Sequence, residues 1–398
     1  MKAGWQIKAL CEVCQIKPQK SEARNKIAAD ELVSFLPMEA LGIDKKFVRA
    51  NQEKPLSEVA GSYTYFAEGD VLLAKITPCF ENGKLGIAEG LTNGIGFGSS
   101  EYIVFRPDET LNKEWLYYYL ARESFRVEGA ARMSGAVGHK RVAKEFIEGY
   151  AIPIPPLSEQ QRIVGILDQA FDGIAVAKTN AEKNLQNARA LFESHLQSVF
   201  TQRGERWVEK KLSDVCAITS TLVDPRKDKF LDLTHVGAGN IESQTGVFVD
   251  LKTAREEGLI SGKFLFDETM VLYSKIRPYL MKVARPDFNG LCSADMYPLA
   301  PLPNEITRDY LFHLLLSKPF TDYAIQGSAR AGMPKVNREH LFEYRTWLPD
   351  VKRQAELTVQ LDALREETQR LESLYQRKLA ALDELKKSLL HQAFSGAL

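Results

Sequence analysis

Two stretches of the chain share one hydrophobic rhythm. Between Ser158 and about Phe200 no proline occurs, and apolar or small residues recur at steps of three and four: Ile163, Ile166, Ala170, Ile174, Ala177, Ala181, Leu185, Ala188, Phe192 and Val199. From Val351 to Phe394 the pattern is leucine-rich: Leu357, Leu361, Leu364, Leu371, Leu374, Leu382, Leu385 and Leu389. This spacing predicts two long amphipathic helices with a coiled-coil-like seam, each roughly 42 residues and about 60 Å in length. Pro155 and Pro156 precede the first helix and force an extended entry, because the residue before a proline is pushed out of the helical region. Ser158 is the expected cap, with Gln161 reaching back in a capping-box arrangement. Asp350 is the expected cap of the second helix.

Outside the helices the pattern changes. Strand-like runs rich in Val, Leu, Ile and Tyr occupy Gly69–Ala74, Tyr102–Phe105 and Met270–Tyr273. Turn-forming stretches, ENGK at Glu81–Lys84 and TNGIGFG at Thr92–Gly98, interrupt them. Short helices are expected at Glu114–Ala121 and Arg308–Leu316. Trp115, Tyr117, Tyr118 and Tyr119 fall at helical spacing, which favours core packing over base stacking.

The chain also repeats itself. WQIKALCEVC (Trp5–Cys14) and WVEKKLSDVC (Trp207–Cys216) both read W-x4-L-x2-V-C. GDVLLAKITPCF (Gly69–Phe80) matches ETMVLYSKIRPYL (Glu268–Leu280), aligning Lys75 with Lys275. EWLYYYL (Glu114–Leu120) meets DYLFHLL (Asp309–Leu315), and GHKRV (Gly138–Val142) meets GMPKV (Gly332–Val336). IPPLSEQ (Ile154–Gln160) faces LPDVKRQ (Leu348–Gln354), and HLQSVF (His195–Phe200) faces LHQAF (Leu390–Phe394). The order is kept throughout, while the offset narrows from 202 residues (Trp5 to Trp207) to 194 (Phe200 to Phe394). A duplicated unit of this size predicts an α+β protein with a pseudo-two-fold plan. Its segments would be one mixed α/β domain at 1–157, a central helix at 158–202, a second such domain at 203–349 and a C-terminal helix at 350–398. A compact second domain with neighbouring ends makes the two helices antiparallel. The layout is then nearly circular, with FSGAL close to MKAGW.

Composition narrows the function. The 398 residues are 44% hydrophobic and 26% charged, an ordinary globular balance. MKAGWQIKALCEVCQ has no signal-peptide pattern and no apolar run is long enough to span a bilayer, so the expected setting is the cytoplasm, without a membrane. Cys11, Cys14, Cys79, Cys216 and Cys292 are odd in number and irregular, which argues against a disulfide framework. Cys11 and Cys14 form a CxxC without the second pair a zinc site needs. With 52 basic and 52 acidic residues the net charge is zero. Nucleic-acid binding would therefore need a local basic face or help from partners.

The sequence carries no recognisable catalytic constellation. The only Pro-Pro, Pro155-Pro156, is followed by Leu157 rather than an aromatic, so the tetrapeptide of amino-methyltransferases is missing. GIGFG (Gly94–Gly98) runs into the strand-like SSEYIVF rather than a helix and reads as a hairpin turn, not a cofactor loop. There is no Walker A sequence and no HExxH. Glu384-Leu385-Lys386 lies on the leucine-seam helix, where charged flanks belong. No catalytic residue, metal site or cofactor is expected in the chain.

PIPPLSEQQRIVGILD at the start of a long helix, with a weaker copy near the C-terminus, resembles the specificity subunits of type I restriction–modification systems. The likeness covers essentially the whole chain. The second copy departs from the pattern, with Asp350 at the second proline and Arg353 at the Glu position. The resemblance implies that each globular unit is a target-recognition domain for one half of a split site in double-stranded DNA. It implies that the helices set the gap and dock modification subunits, two of them. Those subunits would carry S-adenosylmethionine and methylate adenine, with restriction (motor-nuclease) subunits joining for cleavage. A rod of about 60 Å corresponds to roughly 18 base pairs, an upper limit on the span between domain centres.

Base reading draws on Arg, Lys, Asn, Gln, Ser and Thr in groove-facing loops. The candidates are Lys75, Thr77, Asn82, Lys84, Ser99, Ser100, His139, Lys140 and Arg141 in the first domain. In the second they are Lys275, Arg277, Tyr279, Lys282, Arg330 and Lys335. Lys75 and Lys275 occupy equivalent places, as do Arg141 and Lys335, which favours a shared role in phosphate contact or structure over sequence readout. Ile163, Ile166, Leu357, Leu361, Leu364, Leu371 and Leu374 are assigned to the helix seam or to partner docking. The competing reading is a coiled-coil scaffold presenting two protein-binding domains, which predicts no DNA footprint.

Overall fold

Four helices organise the chain: α1 (Lys113–Leu120), α2 (Leu157–Thr201), α3 (Arg308–Leu316) and α4 (Val351–Ser395). They are seen in a computed structural model that describes residues 4–136, 138–328 and 333–398; Arg330 lies outside the described residues. The chain divides into two compact units, Met1–Asn180 with Lys378–Leu398, and Ala181–Arg377. Both long helices, expected as segments of their own, are shared between the units.

In the first unit a five-stranded sheet has the order Cys14–Ile16, Tyr102–Pro107, Val71–Ala74, Leu85–Ala88, Phe47–Val48. A four-stranded sheet has the order Gln52–Pro55, Leu32–Leu36, Ile95–Gly98, Thr64–Ala67, with Leu32–Leu36 parallel to Ile95–Gly98. The second unit repeats the plan. Its four-stranded sheet runs Cys216–Ala217, Met296–Pro301, Val271–Ser274, Val283–Ala284. Its other sheet holds the matching parallel pair, Thr234–Val236 beside Gly290–Cys292. In each unit the opening strand pairs antiparallel with the strand that enters the long helix: Gln6 faces Ile154, and Val208 faces Leu348.

The repeated W-x4-L-x2-V-C motif now has a physical reading. Leu10, Val13 and Cys14 are buried, and so are Leu212, Val215 and Cys216. Trp5 packs edge-on against Trp115, whose indole N–H donates to the Pro153 carbonyl at 3.0 Å. Trp115, Tyr117, Tyr118 and Tyr119 are all buried, so the aromatic run is core. The same core takes in Ile163, Val164 and Leu167 from α2 and Leu390, Ala393 and Phe394 from α4.

Within each unit α2 and α4 run antiparallel. In the first, Lys178 pairs with Asp383, while Arg162 donates to the Leu398 carbonyl at 3.0 Å. In the second, Arg189 pairs with Glu372 at 3.0 Å, and Leu196 and Val199 share a core with Leu357 and Leu361. The expected seam holds at Ile163, Leu357 and Leu361, which are buried, and is half-exposed at Ile166, Leu364 and Leu371. Leu374, at 42% exposure, is not in it. Buried Val164 and Leu167 carry contacts that the sequence spacing assigned to Ile166.

The start of the first long helix also differs from expectation. α2 begins at Leu157, one residue before Ser158, and the Pro156 carbonyl accepts from Glu159 N–H and Gln160 N–H. Proline has no N–H to lose at such a junction and still offers its carbonyl, so no side-chain cap by Ser158 is used. Asp350 does cap α4, its carboxylate accepting from Arg353 N–H at 2.8 Å.

Candidate nucleic-acid interface

The loop that follows the central strand of each unit is held by one repeated arrangement. Lys75 Nζ donates to the Ser100 carbonyl at 3.0 Å and lies 3.9 Å from the Glu101 carboxylate. Arg141 grips the same carboxylate with two hydrogen bonds, at 2.9 and 2.6 Å. In the second unit Lys275 donates to the Ala294 carbonyl and lies 3.8 Å from Asp295, which also meets Lys335 at 3.6 Å. The backbone repeats with equal fidelity. Val142 N–H bonds the Lys75 carbonyl at 3.0 Å, and Val336 N–H bonds the Lys275 carbonyl at 2.8 Å.

A carboxylate between two cations thus ties three loops together in each copy. The Arg141 hydrogen bonds hold the Glu101 carboxyl below the usual carboxylate range. Burial lowers both Lys75 and Lys275 from the ordinary lysine value. A second pair of lysines does similar work: Lys84 donates to the Met38 carbonyl at 2.8 Å, and Lys282 to the Ala238 carbonyl at 2.6 Å. Lysines at matching places thus hold matching loops in the two units.

Around this frame stand side chains that differ between the copies. In the first unit Asn82, Ser100, His139 and Lys140 are exposed. Thr77 donates to Glu81 at 2.8 Å, and half-buried Ser99 accepts from Glu101 N–H. In the second unit Arg277 is exposed and Tyr279 is 51% exposed. They flank Pro278 in a short 3-10 turn, and both Arg277 and Met281 adopt left-handed backbone angles, with φ of 49°. Such angles are unusual for bulky residues and concentrate at functional loops. Cationic, amide and hydroxyl groups of this kind can contact phosphates and base edges.

Two groups of residues, one in this frame and one at the helix starts, were not legible beforehand. Glu101 and Asp295 anchor the frame, but acidic residues are not sought in a nucleic-acid surface. Gln160 and Gln354 are buried at the helix starts. Gln160 accepts from Asn112 N–H at 2.8 Å and donates to the carbonyls of Thr110 and Pro155 at 2.8 and 2.9 Å. Gln354 repeats the set with Thr307 N–H, Glu305 and Pro349, at 2.9, 2.9 and 3.0 Å. Their signal was present in the aligned IPPLSEQ and LPDVKRQ, both of which end in Gln.

Among the described residues no group of three or more His, Cys, Asp or Glu is placed to hold a metal ion. No described helix is long and apolar enough to cross a membrane.

Residues 2–186 match the family model described as the type I restriction modification DNA specificity domain. The specificity subunit of the type I restriction enzyme EcoAI from Escherichia coli is 31% identical over 241 residues, a match covering 59% of this chain and 40% of that protein. The chain thus matches less than half the length of its first curated relatives. In fold it is similar to a chain from a structure of type I R-M complex assembly and conformational transition, at a TM-score of 0.76 and 17% identity, covering 100% of this chain and 99% of the other. The HsdS subunit from Thermoanaerobacter tengcongensis matches at a TM-score of 0.66 and 17% identity, covering 100% of this chain and 98% of that one.

Proposed function

We propose that the chain belongs to the type I restriction–modification specificity family, whose domain model matches residues 2–186, and that it recognises DNA sequence for such a system. Each unit reads one half of a bipartite target in double-stranded DNA. The paired helices set the gap between half-sites and dock modification subunits, two per chain. Those subunits carry S-adenosylmethionine and transfer the methyl group, and restriction subunits join them for cleavage. The chain itself contributes recognition rather than catalysis, and acts in the cytoplasm.

One observation carries this reading: a single frame presents unlike side chains. The Lys–carboxylate–cation arrangement is the same in both units, yet it offers Asn82, His139 and Lys140 in one and Arg277 and Tyr279 in the other. Two readers of different half-sites need that combination of a common scaffold and divergent contacts. Arg277 is suited to the O6/N7 edge of guanine, and Asn82 to the N6/N7 edge of adenine. The frame lysines can add phosphate contacts, which position the protein without reading sequence. Net charge is zero, so much of the phosphate grip falls to the partners.

Footprinting of the assembled chain and modification subunit on DNA tests this. Two protected patches at constant separation are expected. Uniform protection of all sequences, or none, would favour the scaffold reading.

A further inference from the structure

Asp168 on α2 and Asp362 on α4 hold the same position in the two copies, eight residues after the buried Gln160 and Gln354. In each unit the aspartate receives a hydrogen bond from the same site of the short helix: Tyr118 O–H donates to Asp168, and His313 Nε2 meets Asp362 at 2.8 Å. In each, a cation bridges that aspartate to the carboxylate near the start of the short helix. Lys46 Nζ lies 2.6 Å from Asp168 and 2.5 Å from Glu114. Arg285 makes two bonds to Asp362, at 2.9 and 3.0 Å, and one to Asp309 at 3.0 Å.

The carboxylates are equivalent, but the cations are not. Lys46 stands just before Phe47–Val48, the edge strand of the five-stranded sheet. Arg285 stands just after Val283–Ala284, the edge strand of the four-stranded sheet. Two unrelated segments thus deliver a positive charge to one geometry. Each cation also packs on an aromatic of the short helix, Lys46 over Tyr118 at 5.4 Å and Arg285 over Phe312 at 4.3 Å. Side-chain exposure is 17% for Lys46 and 22% for Arg285. Partly buried charges with two partners each are far less screened than a surface pair, and are costly to leave unpaired.

We propose that Lys46 and Arg285 are positioning residues: each clasps the sheet edge of its recognition domain to the long helix within the same unit, and so sets how strictly the gap between half-sites is enforced. This rests on the recognition function proposed above. A domain pinned only by apolar packing can rock on the helix, because such contacts are non-directional. A cation shared by two fixed carboxylates is directional and resists rocking.

The test is a methylation map of a DNA library in which one bipartite target carries gaps from two base pairs shorter to two longer than the native one. The chain is co-expressed with its modification subunit as wild type and as Lys46→Met, Lys46→Arg and Arg285→Met. The wild type should methylate the native gap alone. Both Met variants should keep the half-sites and raise methylation at gaps one base pair off by at least tenfold, with Lys46→Arg close to wild type. Tyr118→Phe removes one hydroxyl from Asp168 and keeps the ring, so it serves if a Met variant does not fold; it should raise off-gap methylation about threefold. Unchanged strictness in the folded variants overturns the clasp while leaving the recognition function intact. Absence of methylation by the wild-type assembly overturns that function, and the clasp with it.

Discussion

Replacing Gln160 by Ala isolates the junction between a globular unit and its long helix. The side chain is fully buried and makes three hydrogen bonds, one accepted from Asn112 N–H and two donated to the carbonyls of Thr110 and Pro155. Truncation strands one donor and two acceptors. Unsatisfied buried groups cost about 1–3 kcal/mol each. The Asn112 and Thr110 groups are only partly buried and recover some hydration, so the expected loss is about 2–4 kcal/mol. Gln354→Ala should cost a similar amount in the other unit, because its three partners are equivalent. Urea unfolding gives the stability change. Native-state hydrogen exchange gives the local signature, a loss of protection at the Asn112 amide in Gln160→Ala and at the Thr307 amide in Gln354→Ala. A destabilisation below about 0.5 kcal/mol, the level of an ordinary surface substitution, with Asn112 still protected, would refute the claim that the three Gln160 hydrogen bonds hold this junction.

Three further outcomes are expected. His313 is buried, its ring Nδ1 has no partner, and its Nε2 meets Asp362 while Arg285 and Arg365 face the same group. Burial lowers its pKa from the ordinary value near 6.5, so the unfolded state takes up the proton first and stability falls as pH drops below about 6.5. Asp362, held below its usual range, adds a loss of the same sign only at more acid pH, below about 3.8. The difference between wild type and His313→Tyr in urea midpoints from pH 7 to 5 isolates the histidine: the wild type should lose up to about 1.4 kcal/mol more per pH unit, and parallel curves would count against the neutral ring. Arg277→Ala should relax base preference by about 1–3 kcal/mol at one position of one half-site and leave the other half-site untouched, as read by binding to a randomised target. Insertion of four residues into both α2 and α4 adds about 6 Å of helix and should lengthen the tolerated gap by about two base pairs with both half-sites kept; a methylation map showing altered half-sites at the old gap would overturn the spacer role.

Much of this architecture is legible in the chain because duplication writes each feature twice. The aligned Trp, Leu, Val and Cys of the opening motif mark a core, and the aligned Lys75 and Lys275 mark a shared task. The tie of these lysines to Glu101 and Asp295 was hidden because the carboxylates attract no notice alone. The helix seam was less legible. Leucine spacing does not separate a residue facing a neighbour from one facing solvent, so Leu374 fits the pattern yet is exposed, while Val164 and Leu167 were passed over. The Ser158 cap failed because the Pro156 carbonyl begins the helix one residue earlier. Lys46 and Arg285 were beyond reach, since they stand at unrelated places in the two copies and converge only through the sheet edge. The surface proposed to read DNA is the least legible part, because its side chains differ between the two units.

The most direct measurement of the central claim is a genome-wide adenine-methylation map of cells expressing this chain with a modification subunit, repeated after residues 203–349, the segment proposed to read the second half-site, are exchanged for the matching segment of a relative. The account predicts one bipartite motif with a constant gap, and after the exchange a motif in which only one half changes. A motif altered in both halves, or methylation that is the same with and without the chain, would contradict it.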